Sequence, residues 1–338
     1  MKKISLTTAF LLVVMILTSC KLDRSSTPPS TGRTNELLIV TNSNEVWNSP
    51  VGQAITDFFT QPLVGLPQTE PMFDLIHFPQ ASLTASIQAH HNMLIVDINN
   101  SFAEPLIETK KDLWGKPQRV VKITAKDQET FLAQFDLYKE AFLELFNENE
   151  RTRTNIAYSK AEDVKIKNKI LSGFDLDMVV PKGFKIAAIT PNFAWIRRDA
   201  AKYEQGILIY YSAYSDTNNF NDQQLISRRD TITKKYIPGP SENSYMKVAM
   251  IEPPLTKRID FKGNFAVEMR GMWELEGDFM GGPFLSYTFV DQRHNRLVTI
   301  DGFAYKPNEE KKDLVRQLET ILYSVQLPDK NTAETAAK

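Results

Sequence analysis

The sequence predicts an α+β protein of two α/β-sandwich-like domains, the second with a mainly antiparallel sheet covered by a C-terminal helix. Three observations carry this reading. Short apolar runs, Leu37 to Val40 first among them, alternate with helical patterns in the first half. Phe131, Phe135, Tyr138, Phe142 and Leu145 recur at intervals of three and four, the stripe of an amphipathic helix. Residues 265–276 alternate apolar and polar side chains with period two, as a strand with one buried and one wet face does. The 338 residues suffice for two domains, and 42% hydrophobic content suffices for each to bury a core.

The chain opens with Lys2 and Lys3, an apolar run from Ala9 to Leu17, and then Leu17-Thr18-Ser19-Cys20. A basic start, a short apolar stretch and small residues at its exit form a secretory signal, too short to span a bilayer comfortably. The single cysteine stands where a lipoprotein signal peptidase would cut. The arrangement resembles the bacterial lipobox, which implies that residues 1–19 are removed and that Cys20 is acylated and holds the protein to a membrane. Lys21, rather than an Asp, follows the cysteine and favours the outer membrane. The lone acid in Lys21-Leu22-Asp23-Arg24 favours its periplasmic face. Residues 20–34 read as the lipidated cysteine and a flexible polar tether.

An N-terminal domain is expected over 35–150. Its first strand is followed by a helix that Ser49 caps and Pro50 opens, with Val51, Ile55, Phe58 and Phe59 on one face. Pro62, Gly65, Pro67 and Pro71 end it. Residues 73–78, 93–98 and 120–123 read as strands, with a short helix after Pro79. Thr124 and Asp127 form a capping pair for the amphipathic helix. The charged stretch from Glu148 to Arg153 is expected to bend that helix into a connecting helix, 151–173. The C-terminal domain then spans 174–327. Its expected strands lie at 185–189, 194–198 and 207–211, followed by a helix at 222–235. The alternating strand, its continuation through Leu285, Tyr287 and Phe289, and a hairpin partner at 297–305 complete the sheet. Leu314, Leu318, Ile321 and Leu322 mark a final helix over the sheet's apolar face. Residues 328–338 read as a frayed tail.

Chemistry is sparse. One cysteine excludes an internal disulfide, and the net charge of −1 argues against nucleic acid as a partner. His77, His90, His91 and His294 have no zinc-ligand spacing, so neither a metal nor any other cofactor is expected. No Gly-x-Ser-x-Gly elbow or phosphate-binding glycine loop occurs, and Ser244 to Lys247 is a chance Ser-x-x-Lys match without its partner motif. No catalytic residue is assigned. The candidate ligand or partner loop is Asp278, Phe279, Gly281, Gly282 and Pro283, whose paired glycines permit positive φ. Trp273 falls on the apolar phase of its strand and reads as core. Tyr210, Tyr211 and Tyr214, with Trp195 and Tyr203, form a tyrosine cluster of the kind that stacks sugars.

Asn35-Glu36-Leu37-Leu38-Ile39-Val40, Val46-Trp47, Val51-Gly52 and the stretch from Leu66 to Phe73 resemble an uncharacterised lipoprotein family of Bacteroidota-type bacteria, domain-of-unknown-function family 4837. So do Trp273 and Phe279-Met280-Gly281-Gly282-Pro283-Phe284. The resemblance implies a cell-envelope location and no known activity. The second half is also similar, in fold only, to the Mog1/PsbP-type sandwich. The expected function is therefore a non-enzymatic, lipid-anchored envelope module for binding or assembly, its partner an unknown envelope protein or a glycan. The alternatives are a periplasmic hydrolase using dispersed carboxylates such as Asp278 or Glu276, and a glycan-binding module using the tyrosines.

Overall fold

The computed structural model describes residues 27–327. Cys20, the signal segment and the tail at 328–338 lie outside the described residues. Among the described residues no helix is long and apolar enough to cross a membrane.

The first unit contains β1 (Glu36–Thr41), α1 (Asn44–Trp47), α2 (Pro50–Phe59), β2 (Asp74–Pro79), α3 (Ala85–Gln88), β3 (Asn92–Ile98), β4 (Leu106–Lys111), β5 (Arg119–Ala125) and α4 (Gln128–Lys160). Its sheet has the order β2-β1-β3-β5-β4. Only the edge strand β4 runs antiparallel to its neighbour. A parallel sheet is covered on both faces, which explains the unbroken apolar runs of β1 and β3. Leu37, Ile39, Leu94 and Val121 face α2 and α4, where Phe59, Phe131, Phe135 and Phe146 pack on them. Leu38, Val40, Met93 and Val120 face the shorter cover around α3 and Trp114. The polar strand β4 escaped the sequence reading because one neighbour leaves most of it exposed.

Three boundaries differ from expectation. Asp127 alone caps α4, accepting from the Thr130 N–H at 2.8 Å, whereas Thr124 belongs to β5 and its hydroxyl donates to the Leu106 carbonyl. The helix runs straight through Glu148–Arg153 to Lys160, and the chain turns only at residues 161–163, where Asp163 caps α5 (Val164–Phe174). The charges did not break the helix because they are consumed in tertiary ion pairs: Arg151 meets Glu319 at 3.5 Å. Finally, residues 28–34 are not a free tether. The Ser30 N–H donates to Lys116, Thr31 N–H to Ala89 and His91 N–H to Thr31, so this stretch is strapped onto the end of the first sheet.

The second unit is built on β6 (Lys185–Thr190), β7 (Phe193–Asp199), β8 (Glu204–Ala213), α6 (Asp222–Tyr236), β9 (Tyr245–Val248), β10 (Leu255–Phe261), β11 (Asn264–Glu276), β12 (Gly281–Asp291), β13 (Arg296–Tyr305) and α7 (Lys312–Ser324). The sheet order is β10-β11-β12-β13-β8-β7-β6, antiparallel throughout, and β9 shares an edge of β11 with β10. Both faces are buried. Val267, Met269 and Trp273 pack with Leu208, Tyr210 and Phe284 beneath α6. Leu285, Tyr287, Val298 and Ile300 pack beneath α5 and α7. The C-terminal helix therefore covers the sheet, but on the face opposite Trp273. The phase of β11 that reads as wet is covered too: Glu268 and Arg270 lie largely buried under α7, where Arg270 reaches Glu319 at 3.1 Å.

Candidate functional site

The two units are joined by more than the α4–α5 turn. The loop at 61–72 leaves the first unit and packs Leu63, Leu66 and Met72 into the core of the second. Its Glu70 accepts the backbone N–H groups of Lys311 at 2.8 Å and Lys312 at 2.7 Å. These are orphan donors at the start of α7, whose N-cap residue supplies no side-chain acceptor of its own. A carboxylate at a helix N-terminus also opposes the positive end of the helix dipole. Beside it, the Lys312 ammonium meets Asp74 at 3.0 Å, and the Asn35 amide donates to Asp313 at 3.1 Å.

A cavity of about 1010 Å³ lies at this junction, between α4, α7 and the strapped segment that leads into β1. Helical spacing lines one wall with Glu150, Arg151, Thr154, Ala157 and Tyr158 of α4, and the other with Asp313, Arg316, Gln317 and Thr320 of α7. Gly32 to Glu36 form the third side. Cationic and carboxylate side chains line it in nearly equal number.

Most of these charges are already paired. Burial pushes the Glu319 carboxyl up, but the guanidiniums of Arg270, Arg316 and Arg151 outweigh it and hold the pKa at about 2. Glu150 places one oxygen against the His91 Nε2 and the Asn92 amide, while His91 Nδ1 meets the Thr31 carbonyl at 2.9 Å. Neighbouring His90 is pushed down to about 4, chiefly by burial and further by His91, so it is neutral at pH 7. Other groups at the cavity are unmet. Asn35 Oδ1, Glu150 Oε2 and Arg316 Nε are buried without a hydrogen-bond partner. Arg153 donates to the Gly32 carbonyl at 2.6 Å and has no carboxylate partner among the described residues.

The lining holds no Ser or Cys nucleophile. Both ring nitrogens of His91 are occupied, by the Thr31 carbonyl and the Glu150 carboxylate. Glu319 stays ionised across the physiological range and cannot serve as an acid.

The structure places the sequence candidates elsewhere. Asp278 accepts from the Ser241 hydroxyl and from the Phe279 N–H, and the Phe279 ring is fully exposed. The glycine with positive φ in this turn is Gly277, at 81°, and not the Gly281–Gly282 pair. Those two already belong to β12, opposite Glu274 and Trp273, and they are small because the chains approach closely: a Cβ on Gly282 would run into the Ala304 carbonyl. No residue of this loop lines the cavity. Glu276 pairs with Lys247 at the surface. Trp273 is buried core, its Nε1 donating to the Ala304 carbonyl at 3.2 Å.

The tyrosines do not share a platform. Tyr210 is buried under α6, while Tyr211 points to the other face and donates to the Phe174 carbonyl. His77 stacks on Trp47, His90 on His91, and His294 pairs with Asp291 at 2.8 Å. No group of His, Cys, Asp and Glu among the described residues could hold a metal ion. The cavity left no local signal because its walls come from separate stretches of chain.

Comparison with known proteins follows the same division. Residues 163–324 match the family model described as Domain of unknown function (DUF4837). Residues 30–159 match a separate model, Domain of unknown function (DUF8532), so the residues from Asn35 to Phe73 belong to that stretch and not to DUF4837. The chain matches no curated protein. Among solved structures it is similar to the Ran-binding protein Mog1p of Saccharomyces cerevisiae, at 11% identity over 48% of this chain and 94% of that one, with a TM-score of 0.32. It is also similar to a Bacteroides thetaiotaomicron protein, at 10% identity over 47% of each chain and a TM-score of 0.27. A third is LpqN of Mycobacterium tuberculosis, described as involved in cell envelope biogenesis, at 12% identity over 45% of this chain and 82% of that one, with a TM-score of 0.27. Likeness at this level transfers no activity.

Proposed function

We propose that this chain is a lipid-anchored, non-enzymatic binding protein of the cell envelope, held through acylated Cys20 and binding a small polar ligand in the cavity between its two units. The observation that supports binding is the cavity at the junction, lined by charged side chains of both units, among them Arg153, which holds only a backbone carbonyl. A roomy concave junction lined by polar side chains of separate elements is the kind of place where small ligands bind. The anchor is supported by the lipobox-like run ending at Cys20.

Native mass spectrometry of the protein purified from its host membranes tests the site. The wild type carries a non-covalent adduct, and Ala157→Trp, which puts a bulky ring on the α4 wall of the cavity, lacks it. Absence of an adduct from the wild type, or its survival in Ala157→Trp, refutes the assignment. In parallel, Cys20→Ser moves the protein out of the membrane fraction; unchanged partition with lipid refutes the anchor.

A further inference from the structure

We infer that the β4–β5 hairpin, at residues 110–116, seats the protein on a bilayer surface that carries anionic phospholipid headgroups. This rests on the acylated Cys20 of the reading above and adds the face of the protein that meets the lipid.

The hairpin reads Lys110-Lys111-Asp112-Leu113-Trp114-Gly115-Lys116 and leads to Arg119, so residues 110–119 hold four cations and one acid in a chain of net charge −1. Two of the four are matched close by: Lys110 meets Glu108 at 3.3 Å and Arg119 meets Glu148 at 3.4 Å. Asp112 is engaged across the hairpin, where its Oδ1 accepts the Gln118 N–H at 2.9 Å. Lys111 and Lys116 are exposed and have no ion pair among the described residues. Between them Leu113 is 46% exposed, while its neighbour Trp114 packs inward on the core around Met93 and Val120. An apolar side chain flanked by unpaired lysines suits a headgroup layer. The leucine enters the acyl boundary, and the lysine stems lie along it with their ammonium groups among the phosphates. A neutral surface would take the leucine and leave the lysines without countercharge.

The place of the hairpin supplies the partner. The chain arriving from Cys20 is hydrogen-bonded to it: the Lys116 N–H donates to the Pro28 carbonyl at 2.8 Å, and the Ser30 N–H to the Lys116 carbonyl at 3.1 Å. Pro28 is eight residues beyond Cys20, and eight residues span at most about 29 Å. Acylation at Cys20 therefore holds lipid within that distance of this strap, and a tethered contact needs little affinity of its own. Ile251 and Phe279, the most exposed apolar side chains of the second unit, have no such link to the anchor.

Spin-label spectroscopy tests this on the full-length protein purified from its host membranes and reconstituted into vesicles. Acylation consumes the only native thiol, so Leu113→Cys and, as a control, Phe279→Cys each take a single nitroxide, and the wild type takes none. On phosphatidylethanolamine–phosphatidylglycerol vesicles the label at 113 is protected from a water-soluble nickel chelate. On phosphatidylcholine vesicles, or in about 1 M salt, it is not. The label at 279 stays open throughout. Adding Lys111→Gln and Lys116→Gln lowers the ratio of seated to unseated protein about 25-fold, at roughly fivefold per charge, with unchanged circular-dichroism melts. The inference is overturned if the label at 113 is equally open or equally protected on the two kinds of vesicle, or if the lysine replacements leave its protection unchanged. Flotation of the same samples separates this failure from that of the anchor. Protein that floats with both kinds of vesicle while residue 113 stays open loses only the seat, whereas protein that floats with neither, or a wild type that takes up label, loses the anchor and the seat together.

Discussion

Two carboxylates are buried under opposite faces of the second sheet, and they lie on opposite sides of their ordinary pKa. Under α6, Asp301 and Arg229 are both fully buried, 2.8 Å apart, with the guanidinium 3.8 Å from the centre of the Phe284 ring. Burial wins there and pushes Asp301 up despite its single partner. Under α7, Glu319 is equally inaccessible, but three guanidiniums converge on it and push it down. One cation does not offset the desolvation of a buried carboxylate, and three do. The α6 pair is also internal to its unit, whereas Arg151 reaches Glu319 from α4 of the other. One cluster belongs to a core and the other to a junction.

The largest effect is expected from splitting the pair under α6. Arg229→Met leaves Asp301 buried alone and lowers stability by about 3–5 kcal/mol in urea unfolding. The double variant with Asp301→Leu recovers most of that loss, since apolar isosteres escape the desolvation penalty. Equal losses in the single and double variants would show that the pair itself stabilises, which would break the contrast with Glu319.

Glu319→Gln sharpens the contrast through pH. A carboxyl held at about 2 against an ordinary 4.5 contributes about 3 kcal/mol, fully present above pH 4.5 and lost as the pH falls towards 2. The stability gap between wild type and Glu319→Gln should therefore close over that window. Asp301 has the opposite sign, its contribution present below its ordinary pKa and lost as the pH rises through the raised value. Parallel wild-type and Glu319→Gln curves between pH 4.5 and 2 would contradict the account of the junction.

The smallest of the three concerns Glu70, a carboxylate of the first unit that α7 meets across the junction. Glu70→Ala removes the acceptor of two helix-start N–H groups and lowers stability by about 1–2 kcal/mol. If the units act as one body, thermal unfolding stays a single transition at a lower midpoint. Two resolved transitions would show that the junction is weaker than its contacts suggest.

How much of this was legible in the sequence depended on whether a signal was local. The period-two run of β11 and the aromatic stripe of α4 were readable because each element carries its own pattern. The burial of Glu268 and Arg270 was not, since a charge on an alternating strand looks solvated until a helix from elsewhere supplies its counterion. The same reason explains the misplaced break in α4: Arg151 reads as a solvent charge and is a tertiary contact. The Gly281–Gly282 pair was visible as a special feature, although what it serves is close chain approach and not positive φ. The cavity had no local trace, because its walls come together only after both sheets have formed.

The loop at 61–72 has a consequence for anyone who would exchange parts of this protein. It lies within the stretch matched as DUF8532, yet Leu63 sits in the other core, Leu66 packs against it, and Gly65 lies so close to β11 that an added Cβ would stand 3.0 Å from the Gly271 nitrogen. Ownership by sequence and ownership by contact therefore disagree over these twelve positions. A chimera cut at the apparent border near residue 160 would leave the transplanted half with an open socket and its host with a stranded apolar finger. A graft that keeps both halves whole must carry this finger across with the piece it plugs.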